Sequence, residues 1–183
     1  MRVVRLLSEH SKLRLLGNDL VALVSTAEVC DFDELARRRW DLARTVHLHL
    51  AYEDRQLFVP LDSDPRPHVR AAAAAAKRGV EQLHALYTAH VEHWGDHEVT
   101  ARWGEFQVAV KVMVARMIAK LDREETDLFP LVADDDDIVG CWQPGMRNWA
   151  GDGVALKPLI EATGGRQPAH GQVTVDHAPL SPS

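Results

Sequence analysis

A histidine and a glutamate four residues apart, His49 and Glu53, are side chains whose types and spacing suit metal binding. Four residues make about one turn of an α-helix, so both side chains would project from one helical face. Imidazole nitrogen and carboxylate oxygen atoms are common ligands of zinc and iron in proteins. We therefore predict that this face of a helix lies at an inherited metal site.

The sequence repeats this pattern once, with a change at an important position. Both segments end on Leu-Phe and a proline, but the second has Lys120 where the first has His49. Glu124 and Glu125 follow Lys120 at about the distance that separates His49 from Glu53. The ammonium group of Lys120 would stand where a cation should bind, so this residue is predicted to disrupt the site.

The same lysine allows a metal-free alternative. Lys120 would pair with Glu53 or Glu125 in the core, and His10 and His49 would form hydrogen bonds beside the pair. In this interpretation the ammonium group takes the place of the lost cation.

Helical periodicity supplies the elements that position these residues. Apolar residues recur at steps of three and four through the first two-thirds of the chain, and prolines stand only near the joints. We predict four helices, over about residues 2–28, 33–60, 69–94 and 97–128. With short joints they make an all-α, up-down-up-down antiparallel four-helix bundle over residues 1–132.

The rest of the chain, residues 133–183, has a different composition. It is rich in glycine, proline and aspartate, includes the run Asp134 to Asp137, and carries Trp142 and Trp149. We predict an irregular C-terminal extension that is flexible from about Gly164 onward. Its tryptophans would either pack on the bundle or offer a surface for self-association or for another protein.

Charge and composition argue against several kinds of partner. The formal net charge of −6 gives no electrostatic reason to expect nucleic acid or an anionic membrane as a partner. The apolar run at the N-terminus is too short for a signal peptide or a membrane span. Cys30 and Cys141 stand far apart, so a disulfide framework is not indicated. We expect a cytoplasmic protein.

At His10, at His49-x-x-x-Glu53 and at Glu124-Glu125-x-x-Leu128-Phe129-Pro130, the chain resembles the hemerythrin-like, or HHE cation-binding, family. The resemblance covers about residues 1–132. It implies a four-helix bundle that holds two non-heme irons, bound mainly by imidazoles and bridged by carboxylates. Proteins of that family carry or sense oxygen, or handle iron and reactive species.

Position by position, the resemblance implies that part of the ligand set is present. The expected metal ligands are His10, His49, Glu53 and Glu125, with Glu124 and His84 as further candidates. Lys120 replaces the histidine that the family places five residues before Glu125. In the predicted third helix, His84 stands about one turn from the level of His49 and has no partner at ligand spacing. Four ligands suffice for one iron or zinc ion, and a complete di-iron centre is not expected.

The sequence leaves two functions open. The first is a metal-binding module that holds one iron or zinc ion, or a defective pair, and takes oxygen, nitric oxide or peroxide at an open coordination position. The alternative is a metal-free regulatory or protein-interaction bundle that uses a core ion pair of Lys120 with a glutamate, and the tryptophan-bearing extension, to form a homodimer or bind another protein. Neither is an enzyme in the usual sense. His47, two residues from His49, is expected on the outer side of its helix.

Overall fold

The computed structural model describes residues 2–132 and 145–164, and these two ranges contain no β-strand. Their α-helices are α1 (Arg2–Val24), α2 (Phe32–Glu53), α3 (Val59–Asp62), α4 (Pro67–His93), α5 (Asp96–Ala101), α6 (Trp103–Arg123) and α7 (Trp149–Glu161). The long helices α1, α2, α4 and α6 correspond to the four that apolar periodicity predicts. The predicted all-α class is confirmed.

Local interactions set the ends of the helices. A side-chain oxygen of Asp31 accepts a hydrogen bond from the backbone N–H of Glu34 at 2.9 Å and caps α2. The first helix ends at Val24 rather than at the predicted residue 28, and Gln107 satisfies the carbonyl oxygens of Val24 and Thr26 at 2.6 and 2.7 Å. The predicted fourth helix is interrupted at Arg102, whose backbone is not helical, and forms α5 and α6.

The two similar segments fold alike in a way that apolar periodicity does not predict. Helix α2 continues into a five-residue π-helix, Asp54–Phe58, and α6 continues into another, Glu124–Leu128. A π-turn holds more residues than an α-turn, so it rotates the following side chains around the helix axis, and such turns are frequent at functional sites. Glu53 and Glu124 stand at the two transitions.

Contacts between helices show that neighbours run in opposite directions. Glu9 of α1 contacts His49 near the end of α2, while Asp19, further along α1, contacts Arg38 near the start of α2. The same reversed order holds for α1 with α6 (Arg14–Asp122, Val24–Gln107) and for α2 with α4 (His47–His84, Asp54–Lys77).

A polar layer divides the apolar core of the bundle. Along α1, Leu6 belongs to one apolar cluster and Leu13 to another, with the buried His10 between them. A similar change between clusters occurs around Glu124 at the end of α6. The helices therefore bring polar side chains together between two apolar regions.

The helix α7 lies against α2, on the side where His47 projects. A Cβ atom at Gly153 would lie 2.8 Å from the imidazole ring of His47, so this approach requires glycine. Leu156 and Ile160 are buried in a cluster with Ala43 of α2. The prediction of an irregular extension is therefore wrong for residues 149–161, where apolar side chains four and seven residues apart form a helical face.

Other parts of the predicted extension lie outside the described residues. These are the run Asp134 to Asp137, Trp142, and the segment predicted to be flexible except for Gly164. Within the described ranges, no helix combines the length and the apolar composition that crossing a membrane requires.

Candidate metal centre

Five titratable side chains meet in the polar layer of the bundle. They are His10 of α1, His49 and Glu53 of α2, Lys120 of α6, and Glu124 directly after α6. All five are buried, and His10 and Glu53 are 0% exposed. Glu53 and Glu124 fall in the apolar stripes of their helices, which predicts that they point inward, and the structure confirms this direction. Burial of ionisable groups is costly unless they have partners, so the contacts of each group determine what the cluster can do.

Lys120 pairs with two carboxylates. Its Nζ donates to Oε2 of Glu53 at 2.8 Å and lies 2.6 Å from Oε2 of Glu124. Of the two pairs that the sequence left open, Lys120 with Glu53 is present, whereas Glu125 contacts His10 and Arg14 instead. The helix α6 is regular through Arg123, so the residue that shares a face with Lys120 is four positions later, which is Glu124.

The Lys120 ammonium separates the protonation of the two glutamates. Burial raises the pKa of Glu53, but Lys120 and His49 outweigh burial and lower that pKa to about 2. Burial raises the pKa of Glu124 well above its usual value, and Lys120 offsets this only in part because Glu53 lies beside it. Burial opposes the charge on Lys120, yet the two glutamates raise its pKa. The ammonium thus favours the ionised form of Glu53, whereas burial beside Glu53 favours the protonated form of Glu124.

The two histidines direct an Nε2 atom towards this cluster. The ring centroids of His10 and His49 are 4.9 Å apart, with an interplanar angle of 71°. Each Nε2 lies 3.7 Å from a glutamate oxygen, that of Glu124 for His10 and that of Glu53 for His49. Neither Nε2 has a hydrogen-bond partner among the residues that the structure describes. Buried nitrogen atoms without a partner are uncommon in folded proteins.

Carboxylates nearer the surface hold the opposite nitrogen of each ring. Nδ1 of His10 is 2.8 Å from Oε1 of Glu125, and Nδ1 of His49 is 3.1 Å from Oε2 of Glu9. An arginine of α1 donates in turn to each carboxylate, Arg14 to Glu125 at 2.7 Å and Arg5 to Glu9 at 2.9 Å. An imidazole that is neutral in this arrangement donates outward through its Nδ1–H group and leaves its Nε2 lone pair facing inward. Proteins commonly orient metal-binding histidines with outer carboxylates of this kind.

The inward-facing atoms fit one metal ion. His10, His49 and Glu124 each offer a ligand atom, and the three atoms lie within 4.8 Å of one another. Ligand atoms that share an ion at bond lengths of about 2.0 to 2.2 Å stand roughly 3.3 Å apart, so a modest contraction would bring these three to bonding distance. Burial and His49 lower the pKa of His10 to about 4, although Glu125 opposes this, so the imidazole is neutral at pH 7. A neutral imidazole is the form that binds metal.

Two of the sequence-predicted candidates occupy different positions. Glu125, whose side chain is 28% exposed, contacts the outer nitrogen of His10 and supports the cluster rather than facing its centre. His84 lies away from the cluster, with its Nε2 atom 3.1 Å from Nε2 of His47. His47 is buried, so the prediction that it lies outside is wrong, because α7 covers this side of α2.

His47 and His84 belong to a hydrogen-bonded chain that links α2, α4 and the extension. Nδ1 of His47 donates to the carbonyl oxygen of Ala43 at 2.7 Å, which leaves its Nε2 to accept from Nε2 of His84. Nδ1 of His84 then accepts from Arg147 at 3.0 Å, and Arg147 also donates to Asp152 at 2.6 Å. Every ring nitrogen of His47 and His84 has a partner, so these hydrogen bonds join the extension to the bundle.

Comparison with known proteins gives one family. The family model described as the hemerythrin HHE cation binding domain matches residues 2–132. No curated protein and no solved structure matches the chain. The matched range includes all five residues of the polar cluster and the two outer glutamates.

Proposed function

This chain belongs to the hemerythrin HHE cation-binding domain family, and from that premise we propose that it binds a single iron or zinc ion with His10, His49 and Glu124. The observation that carries the proposal is the pair of buried Nε2 atoms, which face a carboxyl group and have no partner in the described ranges. Glu53 lies next to this group, but its Oε2 atom pairs with Lys120.

Lys120 is the reason for proposing one ion rather than two. Its ammonium already contacts Glu53 and Glu124, and a second cation beside it would be repelled. Within the described ranges, α4 adds no residue to the group of His10, His49 and Glu124, and its His84 contacts His47 instead. A metal ion at His10 and His49 would either share Glu124 with the Lys120 ammonium or displace that ammonium from Glu124.

The proposed ligand of the bound ion is a small diatomic molecule such as oxygen or nitric oxide. A metal held by three protein ligands retains an open coordination position. His49 and Lys120 also line an apolar cavity of about 80 Å³, which would admit a small uncharged molecule from the core side. The proposal keeps the cytoplasmic setting expected from the sequence.

Metal content tests this function. The untagged protein, purified without chelator, is analysed for iron and zinc beside His49→Ala and the matched control His97→Ala, whose side chain is 87% exposed. We expect about one ion per chain in the native protein and in the control, and loss of the ion in His49→Ala. Native protein that takes up neither metal, even when supplied in excess, would contradict the proposal. Absorption changes on adding nitric oxide to iron-loaded protein test the diatomic ligand separately.

The metal-free interaction function remains the alternative prediction. Its surface was expected to include Trp149, but this side chain is 5% exposed and packs against His84 at a centroid distance of 5.2 Å. Trp149 is therefore occupied in joining the extension to the bundle, and the metal-binding function has the better support.

A further inference from the structure

An open groove of about 780 Å³ lies between α4 and α6. Packed helices ordinarily fill the space between them with side chains, but here many of the lining residues are small. The small residues are Ala72, Ala75, Ala76, Gly79 and Ala119. The groove therefore stays unfilled, and its volume is in the range that small-molecule ligands occupy in proteins.

Arginines stand on both edges of this groove. Arg78 belongs to α4, and Arg116 and Arg123 belong to α6. Arg116 and Arg123 are seven residues apart on a regular helix, so they project from the same side about 10 Å apart along its axis. All three are exposed, and within residues 2–132 and 145–164 none has an ion pair or a side-chain hydrogen bond.

These groove arginines, Arg78, Arg116 and Arg123, differ from the buried Arg39. Arg39 is 3% exposed, and its Nη1 donates to the carbonyl oxygen of Trp94 at 3.2 Å and to Oγ1 of Thr163 at 3.3 Å. Folding has thus enclosed the guanidinium of Arg39. The guanidinium groups of the groove arginines remain accessible, and a ligand that binds them displaces no protein partner in the described ranges.

Two acidic residues also line the groove without cancelling its positive charge. Glu124 is 3% exposed and already pairs with Lys120. Asp127 is exposed and forms no ion pair with the groove arginines in the part of the chain that the structure describes. The accessible edges therefore carry more positive than negative charge, although the chain as a whole has a net charge of −6. A local excess of positive charge attracts anions.

We propose that this groove binds an oligophosphate chain, either inorganic or carried by a nucleoside. A guanidinium group donates two parallel hydrogen bonds to phosphate oxygens, which suits arginine to phosphate recognition. A chain of linked phosphates can meet arginines that are spread over two turns of α6 and across the groove on α4. A single phosphate does not extend over that distance.

The volume of the groove agrees with a ligand of this size. A cavity of about 150 Å³ accommodates the six carbons of benzene, so about 780 Å³ has room for roughly 30 non-hydrogen atoms. This is enough for a triphosphate chain together with a nucleoside. Leu83 and Leu86 line the same groove and provide apolar surface for the base.

Binding in the groove does not depend on the metal function. The phosphate oxygens would contact exposed arginines, whereas Lys120 and Glu124 below them are buried and already paired. The ligand classes also differ, since the metal centre is proposed to take a small diatomic molecule.

Calorimetric titration of the full chain with sodium tripolyphosphate measures the binding. The titration is run before and after chelator treatment, because a phosphate chain could otherwise bind a metal ion at His10 and His49. Orthophosphate, ATP and, for ionic strength, sodium chloride are titrated in parallel. We expect one saturable site for tripolyphosphate that persists after chelator treatment, about tenfold weaker binding of orthophosphate, and no saturable binding of chloride.

Two pairs of variants at exposed positions test where the ligand binds. Arg123→Gln should weaken tripolyphosphate binding about threefold to tenfold, whereas Arg44→Gln, outside the groove, should leave the affinity unchanged. Ala75→Glu places a carboxylate in the groove and should lower the affinity at least about tenfold. Ala85→Glu adds the same charge to α4 outside the groove and is its control.

The outcomes separate this proposal from the metal function. Binding that falls in Arg123→Gln and Ala75→Glu, but not in their controls, supports the proposal whatever the metal content. Tighter binding of ATP then identifies a chain carried by a nucleoside, and tighter binding of tripolyphosphate identifies an inorganic chain. Binding seen only before chelator treatment would place the phosphates on a metal ion and overturn the proposal. Equal affinities for orthophosphate and tripolyphosphate, equal losses in variants and controls, or no saturable binding would also overturn it.

Discussion

Nζ of Lys120 donates to Oε2 of Glu53 at 2.8 Å across the centre of the bundle, and this contact joins the two similar segments of the sequence. One partner comes from α2 and the other from α6, so the pair links two of the long helices within the range that the family model matches. The ammonium keeps Glu53 ionised in a fully buried position. The lysine therefore gives this cluster a fixed positive charge in advance of any metal, and substitutions at Lys120 should change metal binding strongly.

Replacing Lys120 by histidine should strengthen metal binding. Lys120→His removes the ammonium and adds an imidazole beside Glu124, so we expect iron or zinc to be retained about tenfold more tightly, or better. The measurement is metal per chain after dialysis against graded chelator concentrations. Lys120→Met is the matched control, since it removes the charge without adding a ligand. No gain in Lys120→His over the native protein would count against a cluster that lacks one ligand.

The outer carboxylates should matter for metal affinity although they do not face the centre. Glu125→Gln leaves a partner for Nδ1 of His10 but removes the charge that holds the ring, so we expect metal affinity to fall about tenfold to a hundredfold. Glu9→Gln should act in the same way through His49. Metal titration by calorimetry measures the change, with the surface variant Glu98→Gln as control. Equal affinities in all three variants would show that the outer glutamates only support the fold.

The close packing of the extension on α2 should be sensitive to one methyl group. Gly153→Ala places a Cβ atom 2.8 Å from the ring of His47, so we expect a loss of about 1 to 3 kcal/mol in the free energy of unfolding. Gly79→Ala is the matched control, because a Cβ atom there meets nothing within 4 Å and the substitution favours the helix. Urea unfolding followed by tryptophan fluorescence compares the two. A Gly153→Ala protein as stable as Gly79→Ala would disprove close packing at this contact.

Stability should fall in mild acid because buried histidines resist protonation. Burial, and next the charge of Arg39, lower the pKa of His90 to about 4, whereas an unfolded chain has a value near 6.5. Between these values the unfolded state binds more protons, so the free energy of unfolding decreases as the pH drops from about 6.5 to about 4. The contribution of His90 is at most about 3 kcal/mol.

A substitution separates this contribution from those of the other histidines. His90→Phe keeps an aromatic ring against Phe106 and should make stability less dependent on pH between about 4 and 6.5. His97→Phe, at an exposed position, should leave the pH dependence as it is. Chemical unfolding at a series of pH values provides the comparison. An identical pH dependence in His90→Phe and the native protein would refute the argument.

The sequence predicts the helices and the inward direction of Glu53 and Glu124 because both follow from periodicity on a single helix. It does not predict which of two adjacent glutamates reaches Lys120, since that depends on where α6 changes into a π-helix. His84 does not reach the cluster, but its contact with His47, two residues before His49, places it about 3 Å from the level of His49 rather than the expected turn away. Its actual partner could not be foreseen, because contact with His47 depends on the packing of three helices.

The error at His47 has a related cause. The prediction assumes that α2 has one buried face, whereas α7 buries a second face. The signal for α7 is present in the spacing of Trp149, Leu156 and Ile160, but glycine and proline in the same segment obscure it. Apolar periodicity identifies a helical face and does not identify the neighbour that covers it.

The contact between Arg39 and Thr163 has a consequence for the order in which the protein is completed during its synthesis. Translation delivers the four long helices first, and Thr163 follows about 40 residues after α6, a few seconds later at ordinary rates. Until then, His47 and one side of Arg39 stay uncovered on the nascent chain. The second buried face of α2 is therefore covered only after the extension has been made. A chain released after residue 132 would leave the polar groups of His47 and Arg39 on that face uncovered.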